Sequence, residues 1–491
     1  MPGHVREGQA VNIHWGRFFC FLVCRNALLP FRPVKRHDSI PIHRSPDQKI
    51  SAPFSPRTAL AVVIANMIGT GVFTSLGFQL LEIQSGFVIL MLWFVGGITA
   101  LCGALCYAEL GAALPRSGGE YNFLSEIYHP GVGFVAGWVS ASIGFAAPTA
   151  LAAITFGTYL ASVLPALSPR WLATVLIVGL AAAHATTRRT SGGTQRVFTY
   201  LKVLLIAAFC LLGWTLTDAP QDITFLPAPG DGALVVSGAF AVALIYVNYA
   251  YTGWNAATYV IDELDRRQTL SRVLLTGTAV VMALYLLLNY TFLYVAPVDA
   301  LAGKLEIGYV AAQFIFGDTG AAIMGVALAL LLVSTVSAMT LAGPRVLLVI
   351  GQDFDALRFL ARTNAHDVPV VAIGLQSALA VTLVLTATFE SILVFAGFTL
   401  GASTLFTVAG LFVLRWRHPG LERPYGVPLY PLPPLIFLAL MGWTLTYLLV
   451  QRPMEGLAGV AILASGGAFY VASRRLSDRH GRDQTEPDAK V

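Results

Sequence analysis

Long apolar blocks separated by short polar segments dominate this chain. Most blocks contain about twenty residues, the length that a helix needs to cross a hydrocarbon core about 30 Å thick. Backbone groups in lipid have no water to bind, so we expect helices rather than an open sheet. The pattern predicts twelve spans, at 57–80, 86–110, 130–163, 170–187, 196–217, 233–261, 271–296, 320–350, 369–388, 391–414, 430–450 and 456–473. The predicted fold class is therefore an all-α polytopic membrane protein.

Composition supports a membrane protein and excludes several function classes. The chain is 56% apolar and 12% charged, whereas soluble domains average about 25% charged residues. The net charge of +5 is explained by basic flanks around the spans, so we expect no nucleic-acid partner. The five cysteines form neither a metal spacing nor a paired framework. No nucleophile constellation is present, so we expect no enzyme activity, no metal and no cofactor.

Basic residues predict the orientation of the spans. Only Arg170, Lys304 and Arg452 fall in segments that would face outward. This asymmetry follows the positive-inside rule and predicts a cell membrane (plasma or inner) with both termini cytoplasmic. Residues 1–56 form a basic, disordered extension in this interpretation, and 474–491 form a cytoplasmic tail. The inward arginines are Arg116, Arg188, Arg189, Arg196, Arg266, Arg267, Arg272, Arg358, Arg362, Arg415, Arg417, Arg423, Arg474, Arg475, Arg479 and Arg482.

The first span contains a candidate break close to mid-bilayer. Gly69 and Gly71 flank Thr70 about halfway along 57–80, and two glycines so close together weaken a helix. Close helix packing is the alternative, because glycine is common where membrane helices touch.

The sixth span contains a second candidate break. Asn248, Thr252, Gly253 and Asn255 concentrate polar and helix-weakening groups inside an apolar run. Five spans separate the two breaks, so the second five-helix unit would enter the membrane from the opposite face. Interrupted helices at matching positions of two inverted halves are the best sequence indication of a transporter site.

Opened backbone at these breaks suits a small zwitterion. Free N–H groups around Thr70, Gly71 and Val72 would lie at a helix N-terminus, where the dipole favours a carboxylate. Carbonyls left unpaired before each break can accept hydrogen bonds from an ammonium group. An amino acid supplies both charges, so no charged side chain is required to bind it.

Four motifs resemble the amino acid–polyamine–organocation permeases, in particular their L-type amino acid transporter branch. They are Ile68–Phe73 (IGTGVF), Tyr107–Tyr121 (YAELGAALPRSGGEY), Tyr249–Asn255 (YAYTGWN) and Arg423–Pro431 (RPYGVPLYP). The resemblance implies a five-plus-five inverted-repeat fold, with repeats at 57–217 and 233–414. Two further helices would occupy 430–473.

The same resemblance implies a substrate site. The backbone of Gly69, Thr70 and Gly71 would receive the substrate carboxylate. The amine would face the carbonyls of Met67, Tyr249, Ala250 and Thr252, and Tyr249 would also form an aromatic gate. The full predicted site is Met67, Ile68, Gly69, Thr70, Gly71, Tyr249, Ala250, Thr252, Gly253 and Asn255.

Lys202 lies inside the fifth span. Its amine could snorkel to the cytoplasmic headgroups, whereas the resemblance implies a tether between the first and eighth helices, where sodium-coupled relatives hold a cation. That tether implies sodium-independent transport, by proton symport or exchange. Ser334 and Ser337 would join the lysine, although such hydroxyls often bond back to their own helix.

Two negative features shape the remaining expectations. Val163–Trp171 contains no cysteine, whereas heteromeric members carry one there, so we expect no disulfide-linked heavy chain. No acidic residue lies mid-span in helices one, three, six, eight or ten, which favours neutral amino acids. The expected partners are thus an amino acid and membrane lipid. The alternatives are a non-transporting receptor on the same scaffold and a polyamine or organic-cation permease.

Overall fold

Helices form all the regular secondary structure in the described part of the chain. The computed structural model describes residues 55–186, 192–264 and 269–485. Most of the predicted N-terminal extension, the end of the tail, and Arg188, Arg189, Arg266 and Arg267 lie outside these residues.

The helices follow the predicted apolar blocks closely. In chain order they are α1 (Pro56–Met67), α2 (Gly71–Gln79), α3 (Gly86–Ala113), α4 (Glu120–Ile127), α5 (Pro130–Val139), α6 (Ala146–Val163), α7 (Pro169–Thr186), α8 (Gly192–Leu216), α9 (Asp231–Val235), α10 (Gly238–Tyr251), α11 (Leu270–Val295), α12 (Val298–Leu301), α13 (Ile307–Asp353), α14 (Val370–Thr386), α15 (Phe389–Arg417), α16 (Leu432–Gln451) and α17 (Pro453–Thr485). A π-helix at Ser140–Gly144 joins α5 to α6, and 3₁₀ helices occupy Ala256–Glu263 and Asp355–Ala361.

The all-α polytopic class is confirmed. Within the described residues, nine helices are long and apolar enough to cross a membrane. Gly238–Tyr251 and Val370–Thr386 are apolar but shorter, and they correspond to the sixth and ninth predicted spans. The fourth predicted span, here Pro169–Thr186, is in neither group. The count of twelve therefore stays a prediction.

Helix α13 consists of two helical segments that meet at a kink. Gly317 separates them with φ +68°, and the predicted start of the eighth span at residue 320 lies just after this kink. This backbone conformation is accessible to glycine at little cost. The apolar pattern identified only the portion after this kink.

Both predicted breaks are present. Helix α1 ends at Met67 and α2 begins at Gly71, with Ile68 at ψ 82° between them. Helix α10 ends at Tyr251, Thr252 adopts ψ 138°, and Gly253 has φ +108°. The sixth span then continues as the 3₁₀ helix rather than as an α-helix.

Candidate functional site

The two breaks face each other across a backbone contact. A methyl group added to Gly71 would lie 2.6 Å from the Cα of Ala250. One added to Gly253 would lie 2.7 Å from the backbone carbonyl carbon of Asn66. Both distances are shorter than van der Waals contact, so a glycine is required at each position. At Gly69 the nearest atom, the Met67 carbonyl oxygen, would be 3.9 Å away.

Amide groups dominate one side of the first break. Helix α2 starts at Gly71, and the side chain of its N-cap residue Thr70 makes no capping hydrogen bond. The first amides of a helix have no acceptor within that helix, and the dipole makes this end positive. The arrangement is the one expected for a carboxylate site, and the role of Gly69, Thr70 and Gly71 stays a prediction.

The carbonyl groups just before the two breaks already accept hydrogen bonds from other groups of the protein. The Tyr285 hydroxyl lies 2.6 Å from the Met67 oxygen and 3.1 Å from the Ala250 oxygen. The Tyr249 carbonyl accepts from the amide of Thr252 at 2.9 Å. Sequence reasoning missed Tyr285, because one tyrosine in an apolar span gives no sign of its distant partners.

Lys202 reaches the first break from α8. Its ammonium group donates to the Ile68 carbonyl at 3.0 Å and to the Thr335 hydroxyl at 2.9 Å, and the residue is 5% exposed. The amine thus lies in the protein interior, between the first and eighth predicted spans, rather than at the headgroups. A cation is favourable there, since the last carbonyls of α1 form the negative end of that helix. Its part in coupling stays a prediction.

The hydroxyl that contacts the Lys202 amine belongs to Thr335 rather than to Ser334 or Ser337. The Ser334 hydroxyl donates to the Leu331 carbonyl at 2.7 Å, and the Ser337 hydroxyl lies 2.8 Å from His184 Nε2. Successive residues of an α-helix point about 100° apart, so only one face of this hydroxyl cluster can reach Lys202. The sequence located the cluster correctly but not the contacting residue.

The side chain of Asn255, just after the second break, is already hydrogen-bonded within the protein. Its side-chain amide donates to Glu120 Oε1 at 2.6 Å. The same carboxylate accepts from the hydroxyls of Tyr107, at 2.9 Å, and Tyr259, at 2.5 Å. Glu120 is 5% exposed, and a buried carboxylate is tolerated when donors surround it. Asn255 therefore connects the second break to the start of α4.

A cavity of about 40 Å³ adjoins the second break. Tyr249 lines it and is 7% exposed, whereas Gly69, Thr70 and Gly71 do not line it. Helices α3, α10, α15 and α16 contribute the other walls. Its lining has no carboxylate or ammonium group and consists of Thr99, Ala100, Asn248, Tyr249, Tyr251, Thr252, Trp254, Asn255, Gly397, Leu400, Gly401, Thr404, Phe437 and Met441.

Comparison with known proteins identifies related sequences over most of this chain. A family model described as amino acid permease matches residues 54–464. The mouse (Mus musculus) large neutral amino acids transporter small subunit 2 is 27% identical over 84% of this chain and 79% of its own length. The mouse Asc-type amino acid transporter 1 is 26% identical over 84% and 79%. The mouse b(0,+)-type amino acid transporter 1 is 25% identical over 84% and 86%.

One of these names bears on assembly. The words "small subunit" indicate that this relative works with a larger chain. They weigh against the expectation of no disulfide-linked heavy chain, which is therefore not confirmed.

Proposed function

From the premise that this chain belongs to the amino acid permease family and is a multi-pass amino acid transporter, we propose that it carries neutral α-amino acids by alternating access. The observation that carries the proposal is the pair of opposed helix breaks. The first break presents helix-start amides, and the helix ends before both breaks present carbonyls, so one zwitterion could bind to both kinds of group.

The preference for neutral substrates rests on the cavity beside Tyr249. It adjoins the second break, and no charged group lines it among the residues that the structure describes. A cationic side chain would lose its hydration there without gaining a counter-charge, at a cost of several kcal/mol. Uncharged side chains avoid that cost.

Sodium independence rests on Lys202. Its ammonium group contacts Ile68 and Thr335, and a fixed positive charge beside these oxygens disfavours a second cation. Transport would then proceed as proton symport or as exchange.

Orientation and repeat structure complete the proposal. The bias in basic residues supports cytoplasmic termini in a cell membrane, plasma or inner. Breaks five spans apart support inverted repeats at 57–217 and 233–414.

For assembly, we propose only that no disulfide joins a heavy chain at the loop after α6. This loop, Val163–Trp171, contains no cysteine. Within the described residues, Cys102, Cys106 and Cys210 are buried free thiols. A larger partner, if bound, would associate without these sulfurs.

The test is uptake of a labelled amino-acid panel into proteoliposomes containing the full chain. We expect saturable uptake of neutral amino acids that does not change when sodium is replaced by choline. Stimulation by preloaded substrate would identify exchange, and stimulation by an inward proton gradient would identify symport. Substrate binding without uptake would favour a receptor, and uptake of polyamines alone would contradict the amino-acid assignment.

A further inference from the structure

One tyrosine hydroxyl joins the two broken helices. Tyr285 lies on α11, which corresponds to the seventh predicted span, and it is 0% exposed. Its hydroxyl is 2.6 Å from the Met67 oxygen and 3.1 Å from the Ala250 oxygen. A tyrosine hydroxyl has a single hydrogen to donate. The two carbonyl oxygens share this hydrogen, so both point toward the Tyr285 hydroxyl.

The ring of Tyr285 is held from two sides. Trp93 packs edge-on against it at 5.4 Å between ring centroids, and Tyr251 packs at 5.1 Å. These neighbours are fixed in turn, because Tyr251 donates to the Trp93 carbonyl at 3.1 Å. The Trp93 indole donates to Gln79 Oε1 at 3.0 Å. The hydroxyl position is therefore set by packing as well as by its two acceptors.

Met67 is the last residue of α1 and Ala250 is the penultimate residue of α10, so both carbonyls lie just before a break. The Met67 oxygen also accepts from the Gly69 amide at 2.8 Å. A carbonyl oxygen has two lone pairs, and the Met67 oxygen uses both, one on Tyr285 and one on Gly69. The Ala250 oxygen accepts from Tyr285 at 3.1 Å and can accept a second hydrogen bond. An acceptor that is already aligned binds an ammonium group more tightly, since less order is lost on binding.

We propose that Tyr285 is a positioning residue for the substrate ammonium group. Its hydroxyl joins the Met67 and Ala250 carbonyls and holds the Ala250 oxygen where a substrate ammonium group can donate to its second lone pair. The inference rests on the proposed function, because it takes the Ala250 carbonyl as part of the amine subsite. It adds a residue outside the two breaks that controls affinity for the amine without touching the substrate.

Tyr285→Phe in the full-length transporter isolates the hydroxyl, because the ring and its packing stay in place. In proteoliposomes we expect the KM for labelled leucine to rise about tenfold, the equivalent of one hydrogen bond to a charged group. Vmax should change less than twofold. The 2-hydroxy acid analogue of leucine keeps the carboxylate and side chain but lacks the ammonium group. Its inhibition constant should be the same in wild type and variant.

Tyr159→Phe is the matched control. Tyr159 is also 0% exposed, and its hydroxyl donates to a first-span carbonyl, that of Phe73, at 3.1 Å. That carbonyl lies beyond the break, so we expect a KM within twofold of wild type.

Three outcomes would overturn the inference. An unchanged or lower KM in Tyr285→Phe would contradict positioning. Equal weakening of leucine and of its hydroxy acid would assign Tyr285 a general structural role. If wild type lacks saturable uptake of leucine and of every other neutral amino acid, the proposed function fails as well, whereas the first two outcomes leave it intact.

Discussion

The two helix breaks differ in the charge that stabilises them. At the first break, the carbonyl of Ile68 receives a hydrogen bond from the Lys202 ammonium group. At the second, Asn255 precedes the 3₁₀ helix and donates to the Glu120 carboxylate. The C-terminal end of a helix is negative and the N-terminal end is positive. Each exposed helix end is thus matched by a charge of the favourable sign.

This difference indicates how an interrupted helix is tolerated in the membrane. Glycines open the backbone, but unpaired polar groups in a water-poor interior cost several kcal/mol unless another element binds them. Here those elements are distant in sequence and opposite in charge. Removing the Lys202 charge should perturb the first break more than the second. Removing the Glu120 charge should perturb the second break more than the first.

Removal of the cation should have the largest effect. Lys202→Met keeps the length of the side chain but leaves the Ile68 carbonyl and the Thr335 hydroxyl without their shared donor. We expect uptake to fall by roughly a hundredfold or more, the equivalent of losing two charge-assisted hydrogen bonds. Initial-rate uptake in proteoliposomes, normalised to the amount of reconstituted protein, measures the change.

The exposed Lys304→Met is the control and should transport normally. On α13, Thr335→Val should lower uptake and Ser334→Ala should not, because Thr335 contacts the amine whereas Ser334 donates to the Leu331 carbonyl. Wild-type rates in Lys202→Met would show that transport does not depend on these two contacts.

Substitution of the two glycines of the first break should change the KM unequally. Gly71→Ala places a methyl group 2.6 Å from the Ala250 Cα, so the two broken helices must separate. We expect the KM to rise at least tenfold, because the opposed amides and carbonyls lose their spacing. Gly69→Ala meets nothing closer than 3.9 Å and should stay within twofold of wild type. Equal effects would mean that the motif matters for backbone flexibility rather than for helix contact.

Removal of the anion should have the smallest effect on substrate affinity. Glu120→Gln offers one acceptor oxygen in place of two, while three donors remain from Tyr107, Asn255 and Tyr259. We expect a loss of about 1–3 kcal/mol in stability, seen as a lower melting temperature. Vmax should fall several-fold, with KM changed less than twofold.

The exposed Glu82→Gln should leave both melting temperature and transport unchanged. A large increase in KM for Glu120→Gln would show that the second break is as sensitive as the first, and the contrast between them would be lost.

The sequence by itself determined the helices and the location of both breaks. Apolar length and glycine placement are local properties, so Gly69, Gly71 and Gly253 were identified directly. The position of Lys202 inside a span also marked it as exceptional, since a charge in lipid is costly.

Only the tertiary structure decided which groups meet at the breaks. Tyr285 lies 218 residues from Met67, and Glu120 lies 135 residues from Asn255. The choice of Thr335 over Ser334 depends on the rotation of α13 about its axis relative to α8. Such contacts arise from how helix faces pack, and no local pattern specifies them.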